Sequence, residues 1–167
     1  MRAIYPGTFD PVTNGHLDII QRTTQIFSEV IVAVAANPHK PPLFTVKERK
    51  EMLQEATRNY PGIEIDSFEG LVIEFAKKKN IMILIRGMRM FSDFEYEFQM
   101  ALTNRRLNQQ IETIFLMPSE GNSFISSRLL KEAASLGADI SSFVPQFVEW
   151  KLKERIKNAH PGAGYTL

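Results

Sequence analysis

Cysteine is absent from the 167 residues. Disulfides, thiolate metal sites and a cysteine nucleophile are therefore excluded, and nothing in the chain points to an oxidising compartment. No apolar run approaches the ~20 residues that a membrane-spanning helix needs. Neither sign of charge dominates: Lys plus Arg number 20 against 19 for Asp plus Glu, a net charge of +1. That balance makes no electrostatic case for nucleic acid or a membrane surface as a partner. The 3 histidines lie far apart, with no His-x-x-x-His and no carboxylate cluster, so a zinc site built by the protein is not expected. No Gly-x-Gly-x-x-Gly follows the first apolar run, which argues against a nicotinamide dehydrogenase. Internal repeats, low-complexity blocks and interdomain linkers are missing too. Met1 to Gly7 reads directly as strand and turn, without the apolar core of a signal peptide, and the expectation is a cytoplasmic enzyme or binding domain.

What is present is an ordinary globular composition, 44% hydrophobic and 23% charged, in a length suited to one domain with a good core. Strand and helix patterns alternate along it. Ala3 to Tyr5, Val30 to Ala35, Ile81 to Ile85 and Ile111 to Met117 read as buried strands, and Ile63 to Asp66 as a strand with one wet face. Between them come segments at helical spacing, the first carrying Leu17, Ile20 and Phe27. Thr45 with Glu48, and Ser92 with Glu95, have the spacing of capping boxes. Gly70 to Lys79 predicts a helix packing through Leu71, Ile73 and Phe75. Ser126 or Ser127 is placed to cap a helix that stops at Gly137, and Val148, Leu152 and Ile156 share one face of a last helix. The alternation predicts a single doubly wound, parallel-sheet α/β domain of Rossmann-like type over residues 1–158, with a C-terminal helical extension. Residues 159–167 read as a flexible tail.

The stretch Tyr5-Pro-Gly-Thr-Phe-Asp-Pro-Val-Thr-Asn-Gly-His16 lies where the first strand hands over to the first helix. In such sheets ligands bind beyond the carboxyl ends of the strands, and a helix start favours phosphate. The loops at 6–15, 37–42, 86–91 and 118–126 would share that rim, gathering His16, Lys40, Arg86, Arg89 and Arg128. So many cations suit a pair of phosphate-bearing substrates, because phosphoryl-type transfers need positioning and charge neutralisation more than a nucleophile. Each residue has a plainer alternative. His16 could simply cap its helix, Thr8 could be a turn residue and Phe9 a plug under the loop. Lys40 and Arg86 could be solvated charges, Glu97 an exposed helix carboxylate, Val72 a core residue and Ser126-Ser127 an ordinary cap.

A resemblance adds to this. Thr13-Asn-Gly-His16 resembles the T/HxGH signature of the nucleotidyltransferase superfamily, and Ile125-Ser-Ser-Arg128 resembles its ISSTxxR signature. With Tyr5-Pro-Gly-Thr-Phe-Asp-Pro in front and Arg86-Gly-Met-Arg89 between them, the chain from near Arg2 to roughly Val148 is similar to the bacterial phosphopantetheine adenylyltransferase family. The sequence departs from the second signature: Arg128 stands where Thr would be and Lys131 where the final Arg would be. The resemblance implies transfer of AMP from ATP to 4′-phosphopantetheine, with dephospho-CoA and pyrophosphate as products. It makes His16, Lys40 and Arg89 the catalytic residues. It places ATP on Thr8, Phe9, His16, Gly87, Met88, Arg89, Glu97 and the run Asn122, Ser123, Phe124, Ile125, Ser126, Ser127 and Arg128. It places the acceptor on Thr8, Lys40, Val72 and Arg86. It further implies Mg²⁺ carried by the ATP phosphates, feedback binding of CoA and a homohexamer. Alternatives are adenylyl or cytidylyl transfer to another small phosphate, and a non-catalytic nucleotide-binding module.

Overall fold

The computed structural model describes residues 1–36, 42–89, 91–123 and 126–159, with backbone alone at 91, 92 and 159. Lys40, Phe124 and Ile125 lie outside the described residues, as do residues 160–167 of the expected tail. Strands β1 (Arg2–Gly7), β2 (Glu29–Ala36), β3 (Ile63–Glu69), β4 (Ile83–Gly87) and β5 (Glu112–Leu116) form one sheet in the order β3-β2-β1-β4-β5. Every neighbouring pair is parallel, with Ile4 opposite Ile31 on one side and Leu84 on the other. The chain winds outward from β1 through β2 to β3, then restarts at β4 and runs to β5. The predicted doubly wound sheet is the fold observed, and its winding reverses between β1 and β4, where ligand crevices form.

Alternation along the two central strands explains both layers. Ala3, Tyr5, Val30, Val32 and Val34 point into one cluster, while Ile4, Ile31 and Ala33 point into the other. Helices α1 (Asn14–Ile26), α2 (Val46–Thr57), α5 (Ser127–Ser135) and α6 (Gln146–Ala159) cover the first face through Ile19, Met52, Leu130 and Leu152. Helix α3 (Val72–Lys79) covers the second through Ile73, Phe75 and Ala76. Val148, Leu152 and Ile156 are buried on α6, as their spacing predicts.

Four local expectations shift. The Thr45–Glu48 box forms as predicted, with the Thr45 N–H donating to Glu48 Oε2 at 2.8 Å and the Glu48 N–H to Thr45 Oγ1 at 3.3 Å. The second box does not, because α4 (Phe91–Leu107) begins before Ser92 and leaves it inside the first turn. Helix α3 starts at Val72, so Leu71 becomes its N-cap and stays 56% exposed rather than packing. Strand β5 is a half-buried edge, not a core strand, since only β4 flanks it. Ser126 occupies the N-cap of α5 without a side-chain cap bond, and Ser127 Oγ donates instead to the Pro11 carbonyl at 2.9 Å. That bond ties α5 to the loop between β1 and α1.

Candidate active site

Strand β1 ends at Gly7 because the chain must turn sharply there. Phe9 folds back at φ 49° so that its ring lies where a side chain on residue 7 would go, with a Cβ there only 2.8 Å from Phe9 Cζ. Only glycine accepts that approach. The Phe9 ring, 2% exposed, then packs edge-on against Tyr5 (5.4 Å) and against the imidazole of His16 (5.0 Å). Phe9 is thus both the plug and the wall against which His16 is set.

His16 is the third residue of α1 and takes part in its cap. The Thr13 N–H donates to His16 Nδ1 at 3.0 Å, and the His16 N–H to Thr13 Oγ1 at 3.3 Å. Capping and function are therefore not alternatives here. With Nδ1 accepting a backbone N–H, the proton of the neutral ring sits on Nε2, which becomes a donor. Burial, then Arg89 and Arg86, push its pKa down from 6.5 to about 4. Because the folded value is depressed, the neutral ring stabilises the fold fully above pH 6.5, and that stability is lost as pH falls from 6.5 towards 4. We expect turnover to show no ionisation of His16 near pH 6.5, and imidazole nitrogen NMR to show the Nε2–H form at pH 6. A His16 titrating with an ordinary histidine pKa would overturn this.

Around it opens a cavity of about 790 Å³, lined by residues from β1, α1, β4, α4 and α5. Of the residues predicted for the site, it brings together Thr8, Phe9, His16, Arg86, Gly87, Arg89, Glu97, Ser126, Ser127 and Arg128. Among the described residues, the loop after β1, the end of β4 and the loop ends at Pro42 and Ser126 share that rim. Four of the predicted residues that the structure describes are not on it. Met88 turns aside, its N–H bonded to the Leu116 carbonyl at 2.9 Å. Asn122 and Ser123 belong to a turn closed on itself through Ser119 Oγ and the Glu120 carbonyl. Val72 packs against the cluster on the far face of the sheet.

The cations are held in defined ways. Glu97, expected on the nucleotide, is 8% exposed and grips Arg86 through both oxygens, at 2.7 Å to Nε and 2.5 Å to Nη2. Arg86 Nη1 also donates to the Pro6 carbonyl at 3.0 Å. Burial works most strongly against the Arg86 charge, but the Glu97 hydrogen bonds and negative charge, with smaller contributions from Tyr5 and Tyr96, together outweigh it and hold the guanidinium protonated. Arg86 thus arrives preoriented, its fork partly engaged by the protein. Arg89 pairs with Asp93 at 3.3 Å. Tyr5 lines the same wall, and burial pushes its phenol up to about 12, so it stays neutral.

Two charged residues carry more of this geometry than the sequence suggested. Asp10, 5% exposed, accepts the N–H groups of Leu43 (3.0 Å) and Phe44 (2.9 Å) and pairs with Lys131 Nζ at 2.5 Å. Arg49, 1% exposed, donates to the carbonyls of Phe44, Thr8 and Ala35 at 3.0, 2.7 and 3.0 Å. The available signal was position: Arg49 shares a helix face with Met52 and Leu53, which are fully buried.

Compared with known proteins, residues 4–133 match the cytidylyltransferase-like family. The chain is 55% identical to the phosphopantetheine adenylyltransferase of Carboxydothermus hydrogenoformans, over 93% of this chain and 96% of that one. It is 54% identical to that of Caldanaerobacter subterraneus subsp. tengcongensis, over 94% and 98%. The chain belongs to the phosphopantetheine adenylyltransferase family. A solved Vibrio parahaemolyticus structure, described as a proposed nicotinate-nucleotide adenylyltransferase, superposes with a TM-score of 0.65 at 14% identity, covering 90% of this chain and 97% of that one. At that identity it speaks for the shared fold. In this phosphopantetheine adenylyltransferase family member, the resemblance read from the two signatures is borne out as family membership.

Proposed function

We propose that this chain transfers the AMP part of ATP to 4′-phosphopantetheine, releasing pyrophosphate and dephospho-CoA. One observation carries the mechanism: a neutral His16 donor shares one cavity with Arg86, Arg89, Arg128 and Lys131, and among the described residues no activated serine pair stands beside it, in a chain without cysteine. Cations and donors without a nucleophile suit direct in-line transfer. An oxygen of the acceptor phosphate attacks the α-phosphorus. The bond from that phosphorus to the α,β-bridging oxygen breaks, and pyrophosphate departs with the electron pair. His16 Nε2–H would donate to an α-phosphate oxygen as negative charge builds on it. The acceptor phosphate is already an anion, so no general base is required, in keeping with a histidine that resists protonation. Arg89 and Arg128 would neutralise the departing pyrophosphate, with Ser126 and Ser127 at the start of α5 beside it. Arg86 and Lys40 would hold the acceptor.

The carboxylates Asp10, Asp93 and Glu97 on the cavity wall are each paired with a cation. That donor set suits Mg²⁺ brought in on the ATP phosphates rather than held by a protein cage. Along α4, Phe94, Phe98 and Leu102 share a face and, with Tyr96, stay between 46% and 68% exposed, which supports self-association, and we read α4 as part of a homohexamer interface. No described helix is long and apolar enough to cross a membrane. Cytoplasmic location and feedback binding of CoA in the same cavity complete the reading. Purified protein given ATP and Mg²⁺ should release pyrophosphate with 4′-phosphopantetheine, and far more slowly with nicotinate mononucleotide or with CTP in place of ATP. Pyrophosphate release with another pair, or with none, would overturn the assignment.

A further inference from the structure

Burial runs backwards over one stretch of α4. Phe94, Tyr96 and Phe98 are 46%, 68% and 46% exposed, while the carboxylate among them, Glu97, is 8% exposed. What draws it inward is Arg86, at the end of β4. Glu97 Oε2 accepts from Arg86 Nε at 2.7 Å and Oε1 from Nη2 at 2.5 Å, so both oxygens are engaged on one edge of the guanidinium. Arg86 Nη1 donates to the Pro6 carbonyl of β1 at 3.0 Å. One strand and one helix thus set the plane of a side chain carried by a second strand. A buried ion pair contributes little net stability, because desolvation of both partners offsets their attraction.

A guanidinium has five N–H groups, one on Nε and two on each terminal nitrogen. Three bonds to Glu97 and Pro6 use one N–H from each of the three nitrogens. One N–H is left on each terminal nitrogen, on a side chain that lines the cavity, and two such donors suit two oxygens of one phosphate. We propose that Glu97 is a positioning residue that acts through Arg86: it fixes the guanidinium so that its two remaining N–H groups meet one phosphate, and it makes no contact with the nucleotide. The family resemblance sets these residues on different substrates, Glu97 on ATP and Arg86 on the acceptor. Their bidentate pairing sets them on the same one. The inference rests on the adenylyltransferase reading above, but not on which of the two substrates Arg86 holds.

Glu97→Gln keeps the shape of the side chain and turns one acceptor into an NH₂ group facing a donor. Arg86→Lys keeps the charge and loses the planar fork. Titration calorimetry with MgATP and with 4′-phosphopantetheine, each alone, reads the two affinities without turnover. Arg86→Lys should weaken one ligand by at least ~10-fold, and Glu97→Gln should weaken that same ligand by about 10-fold, since hydrogen bonds to charged groups are worth roughly tenfold or more each. The other ligand should stay within twofold. In the double variant the loss should fall short of the product of the single losses by at least ~5-fold, because the two side chains act as a unit. Losses on different ligands, losses that multiply, or no loss in Glu97→Gln would overturn the proposal. Equal weakening of both ligands would mark a merely structural role and overturn it as well. In the unaltered protein, nitrogen-15 NMR should show the Arg86 Nε–H as a slowly exchanging signal that Glu97→Gln abolishes. Rapid exchange there would overturn the pairing whatever the enzyme does. Shared weakening of one ligand in a protein that makes no dephospho-CoA would leave the positioning role standing and remove the reaction assigned to the site. If neither ligand binds, the positioning role falls with the reaction.

Discussion

His16→Ala is expected to lower kcat by at least ~10²-fold, the scale of one lost donor to a developing oxyanion, while leaving the ATP dissociation constant within a few fold. The split follows from where charge changes. On the proposed reading, cations and backbone N–H groups would already hold the triphosphate in the ground state, and one neutral imidazole would add little. As the acceptor oxygen bonds to the α-phosphorus, negative charge would grow on the oxygens that the proposal sets against His16, and a donor held in place there would gain strength. His16 is so held: Nδ1 is fixed by the Thr13 N–H and the ring face by Phe9. The variant also loses the acceptor for that N–H, a cap change costing about 1 kcal/mol, too little to unfold the protein. Stopped-flow or quenched assays of AMP transfer, beside titration calorimetry with ATP, read both numbers. Turnover within fivefold of the original would remove His16 from the transition state. His16→Asn, which can still donate, should recover part of the lost rate.

How much of this was legible in the sequence differs by kind of interaction. The sheet and its helices were legible because buried parallel strands such as Val30 to Ala35 write a continuous apolar run, and helix starts such as Thr45-x-x-Glu48 write their own caps. The common rim followed from chain order, since each loop after a strand in such a sheet must fall on one edge. The misplaced boundary at Ser92 reflects cap spacing that recurs by chance within helices, and the one at Leu71 an apolar residue read as part of the helix it only caps. Contacts between side chains distant in sequence were not legible. Glu97 looked like any helix carboxylate in Asp93-Phe-Glu-Tyr-Glu97, and nothing local says that it closes on Arg86 at 2.5 Å. Arg49 stands in Lys47-Glu-Arg-Lys-Glu51, a run that reads as a solvated face. Its neighbours Lys50 and Glu51 do remain at or near the surface, and the one local hint is the helix face that Arg49 shares with Met52 and Leu53.

That arginine sets the second large effect. Arg49→Met should destabilise the protein by about 3–5 kcal/mol, the range for breaking a buried charged network by removing one member. Methionine fills much of the volume but donates nothing, so the carbonyls of Thr8, Ala35 and Phe44 lose their partner in an interior where water enters poorly. The positive charge beside Asp10 disappears as well, leaving that carboxylate to Lys131 and two N–H groups. For a protein of this size, each kcal/mol moves the melting temperature by roughly 2–4 °C, so a fall of about 6–20 °C by circular dichroism is expected. Arg58→Ala supplies the contrast. Arg58 pairs with Glu55 at 2.8 Å on the surface of α2, its side chain 66% exposed, and its loss should cost under ~0.5 kcal/mol. If the two variants melt within 2 °C of each other, burial of Arg49 contributes nothing special, and the loop after β1 must be held by its apolar contacts through Phe9 rather than by the guanidinium behind it.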